Sequence, residues 1–286
     1  MEGLKLMVKS LQDTTTLHNG VKMPWFGLGV YKVEEGTEVI KTVKTAIKHG
    51  YRSIDTASLY QNEEGVGQGI REALEEEGLT REEIFVTTKV WNSDLGYDST
   101  LAAFEASLAR LGLEYVDLYL IHWPVVAKYK DAWKALEKLY KDGRVRAIGV
   151  SNFQIHHLED LMGVADIKPM VNQVEYHPRL AQKELLRYCK EQNIQMEAWS
   201  PLMRAQLLDN PVLVEIAQKH GKTVSQVILR WDIQHGVVTI PKSVKEERII
   251  ENASIFDFEL TDSEMEQIDQ LNQNVRIGPD PDNFDF

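Results

Sequence analysis

Short apolar runs alternate with amphipathic stretches along most of this chain. The first run, Phe26-Gly27-Leu28-Gly29, reads as a buried strand. After it, residues 35–49 place Val39, Val43, Ala46 and Ile47 on one helical face. The same unit recurs about every 25 to 35 residues without sequence self-similarity, so the chain is not a repeat solenoid. Further strands are predicted at 52–55, 84–89, 116–122, 145–150, 170–174, 194–198 and 237–240. Helices are predicted at 63–77, 97–111, 129–141, 156–162, 182–192 and 211–235.

Eight strands, each followed by helical sequence, predict parallel βαβ units. No Pro/Gly/Ser-rich linker divides the chain, so 1–286 is expected to form a single domain. Strand count favours an α/β fold of the (β/α)8 TIM-barrel type over an open doubly wound sheet. Thr14-Thr15-Thr16-Leu17 and Val21-Lys22-Met23 flank His18-Asn19-Gly20, an Asn-Gly signal for an N-terminal β-hairpin. An extra C-terminal helix is expected from Thr261 to Leu271, with Thr261 and Glu264 as a capping box.

In such a barrel the chemistry sits where the strands end at their C-terminal side. Here the apolar runs end on Asp55, Lys89, His122, Ser151-Asn152, Asn172-Gln173-Val174-Glu175, Trp199-Ser200 and Lys242-Ser243. A single polar strand end serves solvation. Seven in succession, of mixed chemistry, predict a functional mouth. Tyr60, in the loop after Asp55, adds a phenol to the same region.

Composition narrows the partners. The chain has 286 residues, 43% of them hydrophobic, and a formal net charge of −12. That charge disfavours nucleic acid and anionic membrane surfaces. No apolar run approaches the roughly 18–20 residues of a membrane span. MEGLKLMVKS lacks the features of a signal peptide, and a lone Cys189 suits a reducing compartment. A cytoplasmic monomer acting on small molecules is expected. Any phosphate-bearing ligand then needs a local basic cluster, and Lys242, Lys245 and Arg248, spaced three apart beside Ser243 at a helix start, provide one. Gly65-Val66-Gly67-Gln68-Gly69 is a poor dinucleotide loop, because Ile70 occupies the third glycine position and the segment lies in helical sequence. Gly27-Leu28-Gly29 fails the same test at Lys32. A Rossmann reading is therefore poor, and the Gly65–Gly69 run is expected to serve close packing of its helix.

Three motifs give the chain a family resemblance. Gly50-Tyr51-Arg52-Ser53-Ile54-Asp55-Thr56-Ala57 with Tyr60, Glu63 and Val66-Gly67 is the first. Gly143-Arg144-Val145-Arg146-Ala147-Ile148-Gly149-Val150-Ser151-Asn152-Phe153 is the second, with Arg144 where many relatives carry lysine. Ile240-Pro241-Lys242-Ser243 with Arg248 and Glu251-Asn252 is the third. In this order they resemble the signatures of the aldo-keto reductases. The resemblance is to the branch holding bacterial NADPH-dependent glyoxal and methylglyoxal reductases and the 2,5-diketo-gluconate reductases.

That resemblance implies NADPH-dependent reduction of aldehydes, ketoaldehydes and small ketones by a tetrad of Asp55, Tyr60, Lys89 and His122. A free tyrosine titrates near pH ~10, too high for efficient general-acid work. A lysine cation ~4 Å away, at an effective dielectric of ~20, is worth roughly 4 kcal/mol. This could lower the phenol pKa by up to ~3 pH units, with desolvation opposing. Asp55 would keep Lys89 charged, and His122 would orient the carbonyl oxygen and share in protonation. Tyr31, Trp91, His122 and Trp123 are implied to line the substrate pocket.

For the cofactor, Lys242, Ser243, Val244, Arg248, Glu251 and Asn252 are implied to hold the adenosine 2′-phosphate and adenine end. Ser151, Asn152 and Gln173 carry groups suited to a carboxamide, and Trp199 offers a face for the nicotinamide ring. Ser200 and Leu202 fall where the family contacts pyrophosphate, while Met203-Arg204-Ala205 departs from the small residues common there. No metal is expected: neither His156-His157 nor Glu175-Tyr176-His177 shows a convergent third ligand in sequence. Cys189 is expected to be packing. A Schiff-base aldolase using Lys89 and a cofactor-sensing regulatory subunit stand as alternatives. In the acidic tail, Phe284 and Phe286 are placed to close over a substrate.

Overall fold

The computed structural model describes residues 8–286, so residues 1–7 of the opening stretch lie outside it. The hairpin forms from β1 (Thr14–Thr16) and β2 (Lys22–Pro24), with Thr15 opposite Met23. Gly20, at φ 90°, supplies the left-handed backbone of its turn. Thr15 donates to Gln195 Oε1 at 3.0 Å, and His18 Nε2 lies 3.2 Å from the carbonyls of Lys168 and Pro169. The hairpin therefore covers the barrel end at which two later strands begin.

Eight parallel strands follow in chain order. They are β3 (Leu28–Gly29), β4 (Ser53–Asp55), β5 (Phe85–Val90), β6 (Val116–Ile121), β7 (Val145–Ser151), β8 (Val171–Glu175), β9 (Gln195–Trp199) and β10 (Val238–Thr239). The ring closes where Phe26 bridges Thr239. There Gly27 N–H donates to Thr239 O at 3.0 Å and Gly29 N–H to Pro241 O at 3.2 Å. Closure excludes the open doubly wound alternative. Every residue of β5 and β6 is buried, as expected for strands with a packed interior on one face and helices on the other.

The helices are α1 (Thr37–Lys48), α2 (Glu63–Glu77), α3 (Tyr97–Leu111), α4 (Tyr129–Lys141), α5 (Ile155–Met162), α6 (Lys183–Glu191), α7 (Pro211–His220), α8 (Val224–Gln234), α9 (Glu246–Ala253) and α10 (Asp262–Asp269). One prediction needs correcting. Residues 211–235 are two helices, not one. Gly221 at φ 62° ends α7, and Thr223 opens α8 through a capping box with Gln226. The capping box predicted at Thr261 and Glu264 opens α10. No described helix is long and apolar enough to cross a membrane.

The glycines of α2 are packing residues. A Cβ on Gly67 would lie 1.8 Å from the Leu111 carbonyl oxygen of α3, and one on Gly65 would lie 2.3 Å from Val39 of α1. Both sites are closed to any side chain, because interiors have no slack for an added methyl. Gly67→Ala is expected to destabilise the fold by about 1–3 kcal/mol or more. Thermal unfolding of the variant checks this.

Candidate active site

The strand ends bring Asp55, Lys89 and His122 to one mouth, with Tyr60 above them. Tyr60 sits in a short 3-10 turn, Ser58–Tyr60, within the loop that follows Asp55. Buried Asn62 fixes this turn, accepting from Thr56 Oγ1 at 2.7 Å and donating to the carbonyls of Val30 and Val33 at 2.9 and 3.1 Å. Ser58 Oγ ties the same turn to the Lys89 carbonyl at 3.0 Å.

Lys89 is fully buried. Its Nζ donates to Asp55 Oδ1 at 2.7 Å, Thr56 O at 2.9 Å and Tyr60 Oη at 3.2 Å. An ammonium has three N–H donors, and here all three are engaged. Because Tyr60 accepts from Lys89, its own O–H remains free to donate elsewhere. Burial works against the Lys89 cation, but Asp55 and Tyr60 outweigh it and hold its pKa above the ordinary lysine value. A Schiff base needs a neutral, accessible amine, so this arrangement disfavours the aldolase alternative.

The balance at Tyr60 differs from the sequence expectation. Burial raises its phenol more than the Lys89 charge lowers it, and the net value is pushed up to about 12. Tyr60 is thus fully protonated at neutral pH, with Lys89 offsetting only part of the cost of burial. His122 moves the other way. Burial, and then the Lys89 charge, lower its pKa well below the ordinary histidine value. A neutral His122 can orient an oxygen by hydrogen bonding, but it holds no extra proton to give.

Aromatic rings form the mouth around this group. Tyr31 lies 5.0 Å from Tyr60, and Trp91 lies 5.1 Å from His122, between ring centroids. The tail crosses the same opening. Glu175 accepts from the Ile277 and Gly278 amides at 2.7 and 3.0 Å, and Asn92 Nδ2 donates to Phe286 O at 3.1 Å. Phe286 stacks on Trp91 at 5.7 Å, while Phe284 packs on Trp123 at 5.2 Å. The tail is therefore anchored at both ends.

The residues proposed for the cofactor lie along the adjacent arc, from β7 to α9. Ser151 Oγ donates to Gln173 O at 2.7 Å, Asn152 Nδ2 to His122 O at 3.0 Å, and Trp199 Nε1 to Asn152 Oδ1 at 2.8 Å. These bonds fix the Trp199 ring, while a Cβ on Gly278 would meet that ring at 2.3 Å. Gln173 has a further role behind the mouth. Its Nε2 donates to Asp55 Oδ2 at 2.7 Å and to Glu197 Oε2 at 2.8 Å, leaving only its carbonyl oxygen for a ligand carboxamide. Beyond Ser200 and Leu202, three consecutive non-glycine residues, Met203, Arg204 and Ala205, have φ between 46° and 65°. Each carries a steric cost in that left-handed region.

The basic cluster fits an anion on its own evidence. Lys242, Lys245 and Arg248 are exposed and make no ion pair among the described residues. They flank the start of α9, whose first turn lacks a side-chain cap. Ser243 is buried beside them, and Val244, Glu251 and Asn252 line the same segment.

Two features escaped the sequence reading. Glu197 is a buried acid in the middle of an apolar strand, and an acid in such a run is itself a sequence signal. Asp282 brings a third ligand atom to His156 and His157, whose Nε2 atoms lie 2.8 and 3.3 Å from its Oδ1. However, His157 Nδ1 accepts from the Gln154 amide at 3.0 Å, so in the neutral ring Nε2 carries the proton and faces Asp282 as a donor. The trio fastens the tail to α5 rather than offering a ready metal site. Cys189 is fully buried, and burial pushes its thiol up to about 12.

Comparison with known proteins agrees with this architecture. Residues 26–273 match the model of the Aldo/keto reductase family. A glyoxal reductase of Bacillus subtilis is 69% identical over 98% of this chain and 100% of that protein. The methylglyoxal reductase DkgA of Salmonella typhimurium is 46% identical over 94% of this chain and 96% of that protein. A crystal structure of a Gox0644 mutant in complex with NADPH superimposes with a TM-score of 0.91 at 44% identity, covering 96% of this chain and 99% of that one. With its closed barrel and tetrad-like cluster, this chain belongs to the aldo/keto reductase family.

Proposed function

We propose that this protein uses NADPH to reduce aldehydes, ketoaldehydes such as glyoxal and methylglyoxal, and small ketones to alcohols, with Tyr60 as proton donor. One observation carries the proposal. Lys89 saturates its three donors on Asp55, Thr56 and Tyr60, which leaves the Tyr60 proton free toward the mouth. Bound NADPH supplies the hydride. Tyr60 delivers the proton to the carbonyl oxygen as negative charge develops there, and Lys89 stabilises the phenolate left behind. His122, neutral and packed between Tyr60 and Trp91, donates a hydrogen bond that orients the same oxygen. Tyr31, Trp91 and Trp123 exclude water from the reacting carbonyl. NADPH oxidation against a panel of aldehydes, ketones and dicarbonyls tests the substrate class, and inactivity across that panel would overturn it.

Lys242, Ser243 and Arg248 would hold the 2′-phosphate, with Val244, Glu251 and Asn252 at the adenine. Ser151, Asn152 and the Gln173 oxygen would meet the carboxamide, Trp199 would stack on the nicotinamide ring, and Ser200 and Leu202 would face the pyrophosphate. Arg248→Ala is expected to weaken NADPH binding about 10- to 100-fold, since hydrogen bonds to charged groups contribute about 1.5–3 kcal/mol. NADH binding should change far less. Equal losses for the two cofactors, measured by fluorescence titration, would move the 2′-phosphate elsewhere. A cytoplasmic location is part of this proposal and rests on the single, buried cysteine.

A further inference from the structure

The barrel interior holds a second carboxyl group behind the tetrad, and its surroundings are poor for an anion. Glu197, 1% exposed, lies opposite Gln173 in the β8–β9 register. Its Oε2 accepts one hydrogen bond, from Gln173 Nε2 at 2.8 Å. Its Oε1 is buried and has no hydrogen-bond partner among the described residues. The other N–H of the same Gln173 amide goes to Asp55 Oδ2 at 2.7 Å. One neutral amide thus joins two carboxyl groups, and among the described residues Lys89 is the only cation bonded to either.

Charge counting decides how the protons are distributed. Asp55 has a direct ion pair with Lys89 and a hydrogen bond from Gln173. Glu197 has the single Gln173 bond. A buried carboxylate needs several donors or a cation to offset desolvation, so one lysine supports one ionised carboxyl here. The charged groups acting on Glu197 are Asp55 from β4 and Lys89 from β5. β8 presents neutral Gln173, and β10 places Val238 opposite in register. Glu175, farther along β8, is engaged by His177 and the tail amides.

We propose that Glu197 is a positioning residue: as a neutral carboxylic acid it leaves Asp55 the sole counter-ion of Lys89, and its ionisation disables the tetrad at alkaline pH. On losing its proton to solvent, Glu197 becomes a second anion competing for the Lys89 cation and a stronger acceptor for Gln173. Lys89 then supports Tyr60 less well. This inference rests on the proposed role of Tyr60 and Lys89, but its first test does not depend on activity.

Protein labelled with 13C at the glutamate carboxyl carbons is expected to show one glutamate titrating near pH 8, where burial and the Asp55 charge push Glu197. That resonance should vanish in Glu197→Gln. If every glutamate of the wild-type protein titrates in the ordinary carboxylate range, the inference fails, whatever the enzyme catalyses. The second test is the kcat profile. The wild type should lose about threefold to tenfold of its rate above this pH, with KM for NADPH steady. Glu197→Gln, a permanently neutral isostere, should carry its neutral-pH rate into that range. Coinciding alkaline limbs, or a folded Glu197→Gln more than tenfold slower at neutral pH, would overturn the positioning role. If the variant does not fold, the wild-type titration still decides. A protein with no carbonyl reductase activity but one alkaline-titrating glutamate would sink the proposed function and leave the neutral Glu197 standing.

Discussion

Tyr60→Phe is expected to lower the rate of carbonyl reduction by about 10²- to 10⁴-fold, the range contributed by a positioned general acid, while NADPH still binds. The substitution removes one oxygen and leaves the ring, whose packing against Tyr31 and His122 keeps the mouth in shape. Lys89 loses one acceptor of three but keeps Asp55 and Thr56, so the barrel should unfold at nearly the wild-type temperature. The decisive comparison is single-turnover reduction against cofactor affinity in the same preparation. Near-wild-type turnover would remove Tyr60 from the chemistry, because neutral His122 has no extra proton with which to replace it.

Lys89→Met should damage the protein in two separable ways. It strands Asp55 in the interior with only Gln173 as a donor. Breaking a buried ion pair on one side typically costs about 3–5 kcal/mol. It also removes the cation that stabilises the Tyr60 phenolate, so turnover should fall at least about 100-fold. Adding Asp55→Asn removes the stranded charge. The double variant should therefore recover most of the stability and none of the activity. Denaturant unfolding and NADPH oxidation, measured on both variants, separate these effects. If activity returns together with stability, the ion pair is purely structural.

Much of this architecture can be read from the chain. Apolar runs of four to seven residues ending in Asp55, Lys89 and His122 identify the strands and predict which residues meet, because parallel barrel strands bring their C-terminal ends to one rim. The break at Gly221 is hard to read because the helical period of 211–235 continues across it, and Thr223–Gln226 is a weaker local signal than that period. Gln173 and Glu197 depend on the pairing of β8 with β9, and no local pattern reveals which carboxyl an amide will reach. The net shift at Tyr60 depends on depth: the sequence supplies the lysine but not the burial that outweighs it. The docking of the tail is specified by Asn92, Trp91, Trp123 and His156, all far from it in the chain.

The seam at Phe26 and Thr239 gives the barrel wall an uneven strength. β3 and β10 contribute two residues each, and this edge of the ring meets the other through the Phe26–Thr239 bridge and three backbone hydrogen bonds, from Thr239 N–H to Trp25 O, Gly27 N–H to Thr239 O and Gly29 N–H to Pro241 O. Across the ring, β5, β6 and β7 run six or seven residues and carry Lys89 and Ser151, with His122 directly after β6. Local opening follows the weakest pairing, so the ring should breathe at the seam while the opposite wall stays shut. The seam runs directly into Lys242 and Ser243. The phosphate end of a bound nucleotide would then grip the most yielding part of the barrel, and the reacting end would meet the most rigid.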